Sequence, residues 1–251
     1  MHGNNQSEPE RSCIDDGNEI ASILKQELPS LQAICEPWFG SDSLILCSAP
    51  LHFKVRVIND TSRGLVNLFE MVRVDKDRLF NMMQNPSISM QAEIVNRFAN
   101  KSAFVKTLDD AKAGISAFHA CLRTMCIDIS RALASGQEFV AVVKKLHGKL
   151  EPVMVENLAI ADFIPRFDKP YTLFFIPASC IDALLKENAV LAYFSRLKGR
   201  ILVQFQDNDG NASSKRFIDQ MKEGLLPLSE IHLEAMHGMG SKRMAIFKAR
   251  P

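Results

Sequence analysis

In the second half of the chain, short apolar runs alternate with stretches whose apolar residues recur every three or four positions. The amphipathic stretches predict helices over residues 114–136, 180–197 and 213–224. The apolar runs predict buried strands, and these are SAFVKTL (102–108), QEFVAVV (137–143), VMVENLAI (153–160), PYTLFFIPA (170–178) and RILVQFQD (200–207). Strands that are apolar throughout and separated by helices are typical of a parallel sheet covered on both faces, so the pattern predicts an α/β fold.

The chain closes on two apolar runs that flank a glycine-containing turn, SEIHLEAMHGMGSKRMAIFKARP (229–251). Such a pattern predicts an antiparallel hairpin. We therefore expect a mostly parallel sheet that finishes with an antiparallel hairpin.

The first hundred residues have a less regular pattern. Apolar residues at helical spacing over 15–34 predict a helix that kinks or breaks at Pro29. SLILCSAP (43–50) and LHFKVRVIND (51–60) predict the two strands of a hairpin. Residues 64–101 read mainly as helix and predict a helical cap or support.

These patterns predict three parts of the chain. Residues 1–12 are polar without an apolar period and predict a disordered tail. Residues 13–101 form the predicted N-terminal helical and hairpin segment. Residues 102–251 form the predicted α/β domain.

Composition narrows the class of protein without naming its chemistry. Of 251 residues 47% are hydrophobic, which suits a buried core, and the formal charge of +1 provides no global field for a polyanion. The six cysteines are scattered without a C-x-x-C pair, so neither a disulfide framework nor a zinc site is predicted. No apolar run reaches the length of a bilayer span and the N-terminus does not resemble a signal sequence, so we expect a cytoplasmic or other intracellular protein without membrane contact.

The order of predicted elements resembles that of the Rossmann-like class I methyltransferases, whose alternating strands and helices end on an antiparallel hairpin. Two stretches carry the resemblance: IADFIPRFDKPYTLFFIPA (160–178) is similar to the region around that family's fourth strand, and LAYFSRLKGRILVQFQD (191–207) to the approach to its fifth, with a proline and one glycine missing. The resemblance covers residues 102–251 and implies S-adenosylmethionine as cofactor.

The resemblance also implies which residues would hold that cofactor. Asp162 matches the acidic position that reaches the adenine amino group in family members. The loop after the 102–108 strand would meet the methionine end; it has one glycine where the family has several, and its candidate ligands are Asp109, Asp110, Ala111 and Gly114.

Two positions depart from the family's pattern. The second strand of a cofactor-binding member ends in Asp or Glu, which can accept both ribose hydroxyls, whereas FVAVVKKLHG ends in Lys144 and Lys145. Lysines there would suit a phosphate. Methyl transfer to nitrogen favours Asn or Asp followed by Pro-Pro-Tyr after the fourth strand, where the chain reads Ile176, Pro177, Ala178, Ser179. No catalytic residue is therefore assigned.

A shorter resemblance concerns the tip of the closing hairpin. HGMGSKRMAIFKA (237–249) is similar to the glycine-rich loop of RAMP-superfamily CRISPR RNA endonucleases. It implies RNA contacts from Lys242 and Arg243, backbone amides at Gly238 and Gly240 that meet phosphates, and His237 as a general base. It also implies paired ferredoxin-like domains, against which the alternating strands and helices argue.

Three hypotheses of function follow. The first is a methyltransferase-like protein with an eroded cofactor site, which serves with a protein partner as a binding or scaffold subunit. The second is an active S-adenosylmethionine-dependent methyltransferase. The third is an RNA-binding or RNA-processing protein of the RAMP type.

Overall fold

The computed structural model of the chain describes residues 13–39, 43–47, 51–61, 63–74, 136–186, 189–206, 212–233 and 242–249. Its described strands form one seven-stranded sheet. They are β1 (Ala33–Glu36), β2 (Val55–Asn59), β3 (Met154–Glu156), β4 (Thr172–Ile176), β5 (Arg200–Gln206), β6 (Leu225–Leu233) and β7 (Lys242–Ala249).

The strands lie in the order β3-β2-β1-β4-β5-β7-β6. All neighbours from β3 to β5 pair in parallel. β7 runs antiparallel to both β5 and β6 and lies between them. This mostly parallel sheet with a C-terminal antiparallel hairpin confirms the predicted fold class, and its strand order is that of a methyltransferase-like Rossmann fold.

Helices cover both faces of the sheet. They are α1 (Cys13–Glu27), α2 (Leu44–Cys47), α3 (Arg63–Val74), α4 (Gly136–Leu150), α5 (Ile160–Phe167), α6 (Ile181–Lys186), α7 (Ala189–Phe194) and α8 (Ala212–Gly224). A 3-10 turn, Ala178–Cys180, joins β4 to α6. Since alternate residues of a strand point to opposite faces, β4 supplies Leu173 and Phe175 to the apolar cluster under α1 to α4, and Phe174 and Ile176 to the cluster under α5 to α8.

Several predictions for the second half are confirmed. β4 and β5 form within the predicted apolar runs 170–178 and 200–207, and β3 forms within 153–160. α8 matches the predicted helix 213–224. The predicted helix 180–197 is instead divided into α6 and α7, which follow the 3-10 turn.

The predicted hairpin over residues 43–60 is wrong. SLILC forms the helix α2, because the Ser43 hydroxyl accepts a hydrogen bond from the Leu46 N–H (3.3 Å) and caps its first turn. β2 pairs in parallel with β1 and β3. The helix predicted over 15–34 ends at Glu27, and the apolar residues beyond Pro29 lead into β1.

The predicted strand QEFVAVV (137–143) is also wrong, because it lies within the helix α4. Among the α4 residues whose burial is described, 143–150, the buried ones are Val143, Leu146 and Leu150, whose spacing of three and four is helical. The Nδ1 atom of His147 lies 2.9 Å from the carbonyl oxygen of Val72 and ties α4 to α3. The five-residue run FVAVV fits either element, and the helical period becomes clear only with the residues that follow it.

Other predictions lie outside the described residues. These are the strand at 102–108, its following loop, and most of the helix at 114–136. The domain boundary predicted at residue 101 falls in the same stretch. The sheet takes β1 and β2 from before that boundary and β3 to β7 from after it.

Candidate functional site

The candidate site lies at the carboxyl edge of the parallel strands. From β1 the chain proceeds outward to β2 and β3, and then returns to the other side of β1 to form β4. Such a reversal of strand order leaves a crevice between the loops that leave the two central strands, and ligands of open α/β sheets bind there. The candidate site is therefore formed by the loops that follow β1, β2, β3 and β4.

Glu36, the last residue of β1, anchors the loop that follows this strand. Its side chain is fully buried. One carboxyl oxygen accepts from the Ser43 hydroxyl at 2.6 Å, and the other from the Ile45 N–H at 2.8 Å. Burial raises the pKa of Glu36 to about 7, although these hydrogen bonds act in the opposite direction. The carboxyl group thus ties the end of β1 to the beginning of α2.

Asn59, the last residue of β2, joins three strand ends. Its side-chain amide nitrogen donates to the carbonyl of Pro37 at 2.9 Å and to the carbonyl of Leu158 at 3.1 Å. Its amide oxygen accepts from the Leu158 N–H at 2.9 Å. Pro37 follows β1 and Leu158 follows β3, so one buried side chain holds both loops against β2.

Asp60 follows β2 directly and is half-buried. Its carboxylate accepts from the Phe39 N–H at 3.3 Å. Its main chain donates to the Glu156 carbonyl at 3.2 Å and accepts from the Asn157 side chain at 2.7 Å. A carboxylate therefore stands at the end of the second strand of this sheet, beside the loop that follows β1. This is the position at which the resemblance to class I methyltransferases implies a ribose-binding acid.

Two aromatic residues occupy the loop after β1. Trp38 is half-buried and packs against the apolar cluster under α5 to α8. Phe39 packs on the opposite side, where its ring meets that of Phe69 edge to face with centroids 5.1 Å apart. The resemblance implies glycines in this loop, and the sequence here supplies one, Gly40. Trp38 and Phe39 therefore place two bulky side chains in the loop that follows β1.

The end of β4 is apolar. Ile176 is fully buried and Pro177 is also buried. The following turn is held by a hydrogen bond from the Cys180 N–H to the Pro177 carbonyl (3.0 Å), and the Cys180 sulfur lies 3.9 Å from the Phe39 carbonyl oxygen. Ile176 stands where nitrogen methylation favours a polar side chain, and its burial in the core leaves that position without a group to orient an amine.

Five of the site residues predicted from sequence lie in the described part of the chain. Lys144 and Lys145 are exposed on α4, so they do not end the second strand. Asp162 lies in the first turn of α5 and is exposed. Lys242 and Arg243 begin β7, where their backbones pair with Gln206 and Phe205 of β5. Outside the described residues lie Asp109, Asp110, Ala111 and Gly114, together with His237, Gly238 and Gly240.

The strand-end residues Glu36, Asn59 and Asp60 were missed by the sequence prediction. Their signal is present in the sequence, since LQAICE and VRVIND are apolar runs that each end on polar groups. Two predictions concealed it, because residues 31–34 were assigned to the helix over 15–34 and VRVIND was assigned to an antiparallel hairpin with residues 43–50. Only parallel pairing brings them together.

The described residues contain no cluster of three His, Cys, Asp or Glu side chains that could bind a metal ion. Within the same residues, every helix is too short or too polar to cross a bilayer.

Comparisons with known proteins give distant likenesses only. No protein-family model matches the chain, and no curated protein sequence matches it. Among solved structures, the N-methyltransferase NodS from Bradyrhizobium japonicum WM9 has 10% identity and a TM-score of 0.40 over 93% of this chain and 96% of its own. An uncharacterized protein from Listeria monocytogenes serotype 4b has 9% identity and a TM-score of 0.38 over 93% of this chain and 68% of its own. At these values the likenesses indicate nothing about ligand or reaction.

Proposed function

We propose that this chain is a methyltransferase-like protein that binds S-adenosylmethionine or its demethylated product through the nucleoside, and does not transfer the methyl group to nitrogen. Its role is then one of binding, as a subunit beside a protein partner. The Asp60 carboxylate after β2, hydrogen-bonded to the loop after β1, is the observation that carries the proposal.

Asp60 has the chemistry that a ribose requires. The two ribose hydroxyls are donors, and a carboxylate has about four acceptor positions on its two oxygens. The Phe39 N–H donates to this carboxylate at 3.3 Å, and we propose that the ribose hydroxyls donate to it as well. Asn157 lies beside it, and its side-chain amide nitrogen donates to the Asp60 carbonyl.

The methionine end of the cofactor has less support, and this favours binding over transfer. Trp38 and Phe39 stand in the loop whose backbone would otherwise approach the ligand. Ile176 and Pro177 offer no polar side chain to an amine acceptor. Lys144 and Lys145 are no evidence for an eroded cofactor site, because both belong to the helix α4 and neither ends a strand.

The RAMP hypothesis has lost its structural basis. That resemblance implies two ferredoxin-like domains, whereas the described strands form one sheet of seven. An RNA contact by Lys242 and Arg243 stays a prediction from sequence.

The nucleoside site is tested by calorimetry with S-adenosylhomocysteine on the wild type and on Asp60→Asn. Asparagine keeps the size and the acceptor for Phe39 but removes the negative charge. Loss of a charge-assisted hydrogen bond is expected to weaken binding roughly 10- to 100-fold. Asp219→Asn is the matched control, since its side chain is exposed within α8 and has no assigned role in the site, and it is expected to bind as the wild type does.

The proposal fails if the wild type gives neither heat nor thermal stabilisation at millimolar ligand. It also fails if Asp219→Asn weakens binding while Asp60→Asn does not. A separate assay follows the labelled methyl group of S-adenosylmethionine in the presence of adenosine and cytidine. No label is expected on either base, and label on an exocyclic nitrogen would show that transfer is retained.

A further inference from the structure

We propose that Asn59 is a positioning residue of this site: its side-chain amide sets the loops after β1 and β3 relative to Asp60, and thereby decides whether a nucleoside can be bound. The inference rests on the proposed nucleoside site. It assigns to a buried residue, whose side chain is bonded to the backbone of two loops, a control over the groups proposed to meet the ligand.

The amide of Asn59 is fully used by the backbone. Both of its N–H groups donate, one to Pro37 and one to Leu158, and its oxygen accepts from Leu158. The paired bonds to Leu158 engage the N–H and the C=O of one residue, as a neighbouring strand does in a sheet. β3 ends at Glu156, so the side chain extends the pairing of β2 and β3 beyond the end of the latter strand.

The contacts of Asn59 connect parts of the chain that are far apart in sequence. Pro37 lies 22 residues before it and Leu158 lies 99 residues after it. Pro37 precedes Trp38 and Phe39, and Leu158 follows Asn157. Phe39 and Asn157 are the residues that hold the Asp60 carboxylate and carbonyl. Movement at either contact of Asn59 therefore reaches the proposed ligand groups through one or two peptide bonds.

No other side chain of similar size can make these three bonds. Aspartate has only acceptors, so its carboxylate would face the Pro37 and Leu158 carbonyl oxygens in a buried position. Leucine fills the volume but removes the side-chain partner of three backbone groups, the carbonyls of Pro37 and Leu158 and the Leu158 N–H. Asparagine is required because the site needs two donors and one acceptor in one plane.

The chain offers a direct optical report on this loop. Trp38 is its one tryptophan and follows Pro37, whose carbonyl Asn59 holds. If Asn59 positions the loop, replacing it changes the emission of Trp38 in the folded protein. This readout does not require that a ligand binds.

The test compares Asn59→Asp with Thr172→Val. Thr172 is a matched control because it begins β4, at the amino ends of the parallel strands, whereas the candidate site lies at their carboxyl ends. Thr172 is also fully buried, in β4, and its hydroxyl donates to the Phe167 carbonyl at 2.8 Å. Both variants are expected to melt at a lower temperature. Binding of S-adenosylhomocysteine and Trp38 emission are then measured at a temperature where circular dichroism shows each variant to be folded.

Asn59→Asp is expected to weaken binding at least tenfold and to shift the emission of Trp38. Thr172→Val is expected to keep the affinity within about twofold of the wild type and to leave the emission unchanged. Asn59→Ser is the second variant if aspartate prevents folding, because a hydroxyl keeps one donor without a buried charge. The same loss of affinity is expected for it.

Wild-type affinity and emission in folded Asn59→Asp or Asn59→Ser would overturn the inference. Equal losses of affinity in the Asn59 variants and in Thr172→Val would also overturn it, since they would show a general effect of stability. If the wild type itself binds no S-adenosylhomocysteine, the proposed function fails, and the emission of Trp38 alone decides the role of Asn59.

Discussion

At the scale of single residues, Glu36 makes the stability of the fold depend on pH. Burial raises the pKa of its carboxyl group from 4.5 to about 7 in the folded state. Between these values the folded chain keeps a proton that the unfolded chain releases, so stability decreases as pH rises through this window. Below pH 4.5 the Glu36 carboxyl group is protonated in both the folded and the unfolded chain. Above about pH 7 it is ionised in both, so the loss of stability is then complete.

We therefore expect the free energy of unfolding to be about 3 kcal/mol lower at pH 8 than at pH 4 from this group alone. Glu36→Gln should remove that difference, because a neutral amide can accept from Ile45 and donate to Ser43 without titrating. Urea denaturation at several pH values measures this difference in the free energy of unfolding. Asp182→Asn, at an exposed position in α6, is the control that should keep the wild-type slope. An unchanged slope in Glu36→Gln would assign the pH dependence to other groups.

At the scale of elements, the turn that leads into β5 depends on a close approach between main chains. The Asp168 carboxylate accepts from the N–H groups of Lys198 and Gly199 at 2.9 and 3.0 Å, which ties the end of α5 to the beginning of β5. A Cβ atom at position 199 would lie 2.6 Å from the Thr172 carbonyl oxygen and 3.1 Å from that of Lys169. Only glycine lets β4 and β5 begin at this spacing.

Gly199→Ala is therefore expected to lower the free energy of unfolding by about 1–3 kcal/mol, since backbone must shift to admit the methyl group. Gly148→Ala is the matched control. Position 148 is exposed within α4 and a Cβ atom there meets nothing within 4 Å, so alanine should raise stability by up to about 1 kcal/mol through its helix propensity. Chemical denaturation of both variants gives the comparison, and a neutral Gly199→Ala would mean that the turn can open at no cost.

Helices and strands were predictable from sequence where the spacing of apolar residues follows one pattern over the whole element. β4 and β5 are long apolar runs buried on both faces, and α8 has a clear helical period, so each was recognised. α2 was mistaken for a strand because its four residues are apolar and most of them are buried. Its hydrogen bond from Leu46 to Ser43, which the apolar pattern does not reveal, decides the conformation.

At the scale of the whole molecule, the fold class was predictable and the position of the site was not. The alternation after residue 136 and the closing hairpin were sufficient for a mostly parallel sheet. The site depends on which strands are first and second. The runs 102–108 and 137–143 were assigned to these places, which β1 and β2 take in the described sheet, whereas β3 to β5 form within the runs predicted for them. Lys144 and Lys145 were then compared with a strand end that lies at Asn59 and Asp60. Pairing between strands about a hundred residues apart, such as β2 with β3, leaves no local pattern in the sequence.

The same topology predicts that residues 102–251 do not fold alone. β1 lies between β2 and β4, so a fragment without residues 1–101 lacks β1 and β2. In that fragment β4 loses its neighbour β1, and β3 loses its neighbour β2. The face of β4 that carries Leu173 and Phe175 would also lose its cover from α1, α2 and α3.

We expect this fragment to lack a cooperative thermal transition by circular dichroism and to bind a hydrophobic dye. Mixing it with a fragment of residues 1–101 should restore a cooperative transition, because the missing central strands are then supplied in trans. The mixture is the control against damage caused by truncation itself. A cooperative transition in the 102–251 fragment by itself would mean that β4 tolerates exposure of this edge, and that β1 and β2 are added to a domain which is already stable.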